Sequence, residues 1–216
     1  MNIKHKAVIF DMDGVIIDSE RLWKQAEKEI FSSLGVMVTD EYSEITKSMT
    51  TSDVTGFWFD KFPWQNVSLD NAEQMVISRV TQLIDTENCE INGVKEFIEN
   101  LKARNYKIGM ATNSPNSIIP TVLNKIDALH LFDTISSAEF EANGKPDPAI
   151  YLTTAKKLSV NAINCVAIED SYSGMLAAKK AGMKVVAFTN GNTEINFDIA
   201  DYKIDWFKDF DINQLN

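Results

Sequence analysis

The sequence predicts an α/β fold, a doubly wound and mainly parallel sheet interrupted by an all-helical insert. Three observations carry this. Beyond residue 90, short apolar runs of β type alternate with helical patterns. Between about 19 and 88 only helical stripes occur. The first apolar run ends in two aspartates and a glycine, which marks a strand end followed by a sharp turn. Strands that alternate with helices imply βα units and a parallel sheet.

The first run is Ala7-Val8-Ile9-Phe10, and Asp11-Met12-Asp13-Gly14-Val15 follows it. Side chains at i and i+2 of a strand share a face, so Asp11 and Asp13 converge beyond its C-terminal edge. Taken alone, this string is equally well a plain turn, because Asp and Gly dominate turns. In the insert, Trp23, Ala26, Ile30, Phe31 and Leu34 share one helical stripe, and Met75, Val76, Val80, Leu83 and Ile84 share another. Neither leads into a buried strand. Residues 18–88 are therefore read as a helical cap, and 1–17 with 89–216 as the α/β core. Hinges are expected near Asp18 and near 89–93.

Val94, Phe97, Ile98 and Leu101 form the next helical face, with Asn92 as its expected N-cap. A strand is expected over 107–111. Ser114-Pro115 then looks like a helix start, yet Pro120 falls inside the same apolar pattern and either kinks that helix or delays its start. A strand at 134–135 precedes a helix over 149–158, with Asp147 as N-cap and Pro148 at its first position. A strand at 166–168, a helix over 173–181 closed by Gly182 at C′, and a strand over 184–188 complete the reading.

Composition sets limits. The chain has 216 residues, 44% hydrophobic and 24% charged, which is ordinary for a globular protein. A net charge of −10 argues against general affinity for nucleic acid or anionic membrane. It leaves room for a small phosphorylated molecule, because a bound cation and one lysine reverse the field locally. No apolar segment of signal-peptide type or bilayer length occurs. Cys89 and Cys165 form no C-x-x-C and are expected to be buried thiols. The expectation is a cytoplasmic, monomeric protein with no nucleic-acid or membrane partner.

Further groups fall at expected strand ends. Thr112-Asn113-Ser114 offers a hydroxyl and backbone N–H groups where a strand meets a helix, which suits an anion; Ser114 serves equally as a plain N-cap. Lys145 sits in the rigid loop Gly144-Lys145-Pro146-Asp147-Pro148. A lone loop lysine is ordinarily solvated surface. Placed after the third strand, it becomes a compact charge for both a phosphate and the Asp11 carboxylate. Glu169 and Asp170 follow the run that ends at Ile168. Four carboxylates at one sheet edge repel and raise each other's pKa values unless a divalent cation is present. Such hard cations take oxygen ligands, and open α/β sheets bind ligands beyond the carboxyl ends of their strands.

The ordered set DMDGV, ATNS, GKPDP and IEDSYSG resembles the four motifs of the haloacid dehalogenase-like hydrolases, whose core is Rossmann-like. The insert resembles their C1 helical cap, and the chain is most similar to the β-phosphoglucomutase-like branch. The stretches 18–23 and 57–64 are similar to phosphatases of 2-deoxyglucose 6-phosphate and hexitol phosphates. The resemblance implies Asp11 as nucleophile, with Asp13 as the acid for the leaving alcohol and then the base for water. Thr112, the Asn113 amide and Lys145 would hold the phosphate. Mg²⁺ would be bound by Asp11, the carbonyl of Asp13, Glu169 and Asp170.

Glu20, Trp23, Lys47, Ser114 and Asn116 are the substrate-binding candidates. Trp23, Trp58 and Trp64 are read mainly as cap core, with one of them reaching substrate. The expected function is Mg²⁺-dependent hydrolysis of small sugar or polyol phosphates through an aspartyl-phosphate. The rival is a phosphomutase, but mutases of this branch usually carry a His at the place of Trp23 and a cap Arg near Thr50. A dehalogenase would leave Asp13 without a function. A phospho-acceptor receiver domain has no need of so long an insert, and a scaffold has no use for four crowded acids. His5 and His130 are assigned to structure.

Overall fold

Residues Ala7–Phe10 form strand β1, and all of them are fully buried. Ala7 and Ile9 face one side of the sheet and Val8 and Phe10 the other, as the alternation of a strand requires. The computed structural model describes residues 6–47, 49–192 and 198–215; His5 lies outside them. The remaining strands are β2 (Lys107–Thr112), β3 (Thr134–Ser137), β4 (Cys165–Glu169), β5 (Lys184–Phe188) and β6 (Tyr202–Ile204). They pair in parallel in the order β3-β2-β1-β4-β5-β6. The chain thus leaves β1 to one side and returns to the other at β4. This reversal opens a crevice at the carboxyl ends of β1 and β4, where such sheets take ligands.

Helices cover both faces of the sheet. Val8 and Phe10 pack with α5 (Val94–Ala103) and α6 (Ile119–Lys125), and Phe10 meets Phe97 edge-on at 6.2 Å between ring centroids. Ala7 and Ile9 pack with α7 (Ala149–Lys157) and α8 (Tyr172–Lys180) through Tyr151, Ala155, Met175 and Ala178. Both cysteines are buried and free, and burial pushes the Cys165 thiol up to about 12. Among the described residues, no helix is long and apolar enough to cross a membrane.

The cap consists of α1 (Glu20–Ser33), α2 (Asp40–Thr46), α3 (Thr51–Lys61) and α4 (Leu69–Thr86). Its centre is aromatic: Phe31 lies 6.0 Å from Trp58 and 5.9 Å from Trp64. Trp58 is fully buried, as its reading as cap core requires. Such ring pairs contribute roughly 0.5–1.5 kcal/mol beyond the area they bury. The two connections between cap and core run side by side. The Asp18 N–H donates to the Cys89 carbonyl at 2.8 Å, and Ile17 bridges Glu90 in antiparallel fashion.

Several local expectations are corrected. Gly93, with φ of 81°, rather than Asn92, precedes α5 as its N-cap, because the turn there needs a left-handed residue. Of the two outcomes open at Pro120, the helix is delayed: α6 starts at Ile119, with Pro120 in its first turn, where a missing N–H costs nothing. Pro148, rather than Asp147, is the N-cap of α7, because Pro148 already has helical angles one position before Ala149; Asp147 supports the turn, its Oδ1 accepting from the Ala149 N–H at 2.9 Å. Helix α8 starts one residue earlier than its pattern suggests. Ser171 caps it by accepting from the Gly174 N–H at 3.1 Å, and Gly182 follows it with φ of 84°.

Candidate active site

The register of the central strands builds the site. Phe10 pairs with Ile168, and the Asp11 N–H donates to the Ile168 carbonyl at 3.0 Å. The residues that follow, Asp11 on one strand and Glu169 on the other, therefore emerge together at the crevice. Lys145 reaches in from the loop before α7. Its Nζ donates to Asp11 Oδ1 and to Glu169 Oε1, each at 2.6 Å. The loop is held in turn by Asn113, whose Oδ1 accepts from the Lys145 backbone N–H at 2.8 Å. Lys145 is thus no solvated surface residue; it is buried between two acids.

Glu169 is fully buried behind the cavity. It also accepts from the Tyr151 hydroxyl and from Ser171 Oγ. A Cβ on Gly174 would stand 2.0 Å from Glu169 Oε1, so only glycine admits that carboxylate. Gly14 plays the matching part for Asp170: its φ is +76°, and a Cβ there would stand 1.9 Å from Asp170 Oδ2. The motif glycines make room for the motif acids.

Asp13 is held differently. Its Oδ1 accepts from the Ser19 hydroxyl and, at 2.9 Å, from the Trp23 indole N–H; its Oδ2 accepts from Ser114 Oγ at 2.6 Å. Three donors from the connection, the cap and the core fix the carboxyl over the same cavity. This overturns the reading of Ser114 as a helix N-cap, since α6 starts only at Ile119. It also corrects the picture of free backbone N–H groups there, because the Ser114 N–H donates to Thr112 Oγ1 at 3.0 Å.

Burial, then Glu169, push the Asp11 carboxyl up to about 8, against the pull of Lys145. Burial and then Asp11 raise Asp170 well above the ordinary carboxylate range. Burial works against the Lys145 ammonium, but Asp11 and Glu169 outweigh it and hold it protonated. A divalent cation would relieve the mutual repulsion of these crowded acids. Asp11, Glu169 and Asp170 each bring a carboxylate oxygen within 4.8 Å of the others. Among the described residues Asp170 makes no hydrogen bond or ion pair, which leaves both its oxygens open. The all-oxygen donor set fits a hard divalent cation. The Asp13 carboxylate stands outside this cluster.

A cavity of about 160 Å³ lies between core and cap. Asp11, Asp13, Thr112, Asn113, Ser114, Lys145 and Asp170 line it from the core, and Glu20, Trp23 and Lys47 from the cap. Of the three cap tryptophans, Trp23 is the one that reaches it. Asn116 does not belong: it is exposed, and its backbone N–H donates to Glu139. Ser19, Tyr151, Ser171 and Glu27, another lining residue on α1, were not singled out from sequence. Ser19 lies inside the quoted 18–23 stretch and was legible there. Tyr151 carries no sequence signal, since it reads as one more apolar position of α7.

The family model for haloacid dehalogenase-like hydrolases matches residues 8–188. Hexitol phosphatase B of Escherichia coli is 36% identical over 202 residues, covering 92% of this chain and 90% of that one. A phosphorylated carbohydrates phosphatase of Thermotoga maritima is 31% identical over 179 residues, covering 83% and 82%. The crystal structure of a β-phosphoglucomutase from Clostridium difficile superposes with a TM-score of 0.84 at 28% identity, covering 98% of this chain and 95% of that one.

Proposed function

The chain belongs to the haloacid dehalogenase-like hydrolases, and from that premise we propose that it is a Mg²⁺-dependent phosphatase of small sugar or polyol phosphate monoesters. One observation carries this reading. A buried Lys145–Asp11–Glu169 cluster with Asp170 faces Asp13, a second carboxyl oriented by donors from both cap and core. The relatives named as hexitol and carbohydrate phosphatases support the substrate class.

The geometry supports the following division of labour. Asp11 is the nucleophile; Lys145 holds its Oδ1, and Oδ2 accepts no hydrogen bond among the described residues, which suits it to approach phosphorus. The P–O ester bond breaks as the aspartyl-phosphate forms, and Asp13 delivers its proton to the departing alcohol. Asp13 then takes a proton from the water that attacks phosphorus, which returns the Asp11 carboxylate and releases inorganic phosphate. Thr112, Asn113 and Lys145 position the phosphoryl group. Asp11, Glu169, Asp170 and the Asp13 carbonyl would hold a divalent cation, which would supply the charge neutralisation that phosphoryl transfer chiefly requires. General acid–base assistance by a carboxyl typically contributes about 10²–10⁴-fold.

Hydrolysis is favoured over a mutase reaction. A mutase grips a second phosphate, and among the described residues both cap cations that line the cavity are paired, Lys24 with Glu20 and Glu44 and Lys47 with Glu20 at 3.1 Å, while Thr50 spends its hydroxyl on Asp53. The test is a panel of sugar and polyol phosphates, scored for released phosphate with Mg²⁺ and after chelation. Metal-dependent release without added sugar bisphosphate supports the reading; turnover that needs a bisphosphate overturns it in favour of the mutase.

A further inference from the structure

The cap end of the cavity holds an acid that the chemistry above does not use. Glu20, Trp23, Lys24 and Glu27 follow the i, i+3, i+4, i+7 pattern along one face of α1, and all line the cavity. Trp23 marks the place where the ester oxygen departs, because it holds Asp13. Glu27 lies one turn further along α1 into the cap, about 6 Å along the helix axis. The charged neighbours are already paired. Lys24 meets Glu20 at 3.1 Å and Glu44 at 3.0 Å, and Lys47 meets Glu20 at 3.1 Å. Glu27 alone makes no hydrogen bond or ion pair among the described residues. It is largely sequestered, and Ser43, Thr46, Met49 and Val54 line the same cavity. Burial pushes its carboxyl up to about 7.

A sequestered acceptor without donors is costly. Ligand hydroxyls at that depth relieve the cost, whereas an apolar ligand leaves it in place. We propose that Glu27 is a specificity-determining residue that accepts hydrogen bonds from the hydroxyls of the sugar or polyol chain distal to the phosphate. This inference rests on the phosphatase reading and deepens it: the site selects polyhydroxylated esters over apolar ones of the same phosphate.

The test compares Glu27→Gln and Glu27→Ala with wild type on two esters, a hexitol 6-phosphate and phenyl phosphate. The measured quantity is the ratio of their kcat/KM values. A hydrogen bond to a charged group sets the expected fall in this ratio, about tenfold to a hundredfold in both variants, with the change carried mainly by KM of the hexitol phosphate. Turnover of phenyl phosphate by the same preparations shows that the site has folded. A ratio within twofold of wild type, or parallel loss on both esters, overturns the role of Glu27 while leaving the phosphatase reading intact. A wild-type protein that hydrolyses neither ester removes that reading and this inference together.

Discussion

The indole N–H of Trp23, a cap residue, donates at 2.9 Å to Oδ1 of Asp13, a core residue. The position of α1 and the orientation of the second carboxyl are therefore coupled through this hydrogen bond. Trp23→Phe keeps an aromatic side chain, though a smaller one, and deletes the donor. It is expected to lower kcat for sugar phosphates about tenfold or more, since hydrogen bonds to charged groups carry roughly 1.5–3 kcal/mol. The Asp13 carboxylate lies outside the Asp11–Glu169–Asp170 cluster, so Mg²⁺ affinity should hold. Steady-state kinetics beside a metal titration decide it, and an unchanged kcat would show that Ser19 and Ser114 orient Asp13 unaided.

Asp11→Asn removes the attacking oxygen. Phosphate release should fall to background. The fold should persist, because Lys145 keeps Glu169 as a partner at 2.6 Å and one of several crowded acids is gone. Metal-free Asn variant and wild type compared by urea denaturation should show no loss of stability in the variant. Turnover at several per cent of wild type would rule out Asp11 as nucleophile.

Much of this site was legible in the sequence because strand ends are legible. Asp11, Thr112 and Glu169 each follow a short apolar run, and a parallel sheet brings such ends to one edge without further information. The glycines beside them were visible as residues but not as fits: that Gly174 leaves space for the Glu169 carboxylate depends on how α8 meets β4. The strand Tyr202–Ile204 escaped notice because it has three residues, with the middle one exposed, and exists through pairing with β5 rather than through its own pattern. Helices α2 and α3 gave weak stripes for a similar reason, since their aromatic residues pack around Trp58 from several directions. Asn116 was misplaced because proximity to Ser114 in sequence says nothing about which side of a turn faces the cavity.

Gly174→Ala tests the close packing of the buried acid. The new methyl would fall 2.0–2.2 Å from the three carboxylate atoms of Glu169, which has no room to retreat. Displacing Glu169 unsettles both Lys145 and Tyr151, its hydrogen-bond partners. Overpacking of a filled interior typically costs about 1–3 kcal/mol, and that loss is expected in urea denaturation. Phosphate release should drop by about 10² or more, because a small misplacement at the reacting centre is enough for such a loss. An alanine variant with wild-type kinetics would mean that Glu169 is not needed in this position.

Glu27 makes a prediction that needs no substrate. In the ligand-free protein its carboxyl is raised by burial from an ordinary value of 4.5 to about 7, with Lys24 opposing. The folded state thus holds this proton more tightly than the unfolded chain does. The associated stability is fully present below about pH 4.5 and is lost as pH rises through about 7, where the buried group must ionise. Glutamine at this position keeps the shape and never ionises. Glu27→Gln should therefore be more stable than wild type at pH 8, by about 1–3 kcal/mol, with the gap closing near pH 4.5. Every other titrating group is common to both proteins, so the difference between their urea midpoints at the two pH values isolates this one. A gap of equal size at both pH values would assign the stability change to packing and deny that an unpartnered carboxylate resides at the cap end of the cavity.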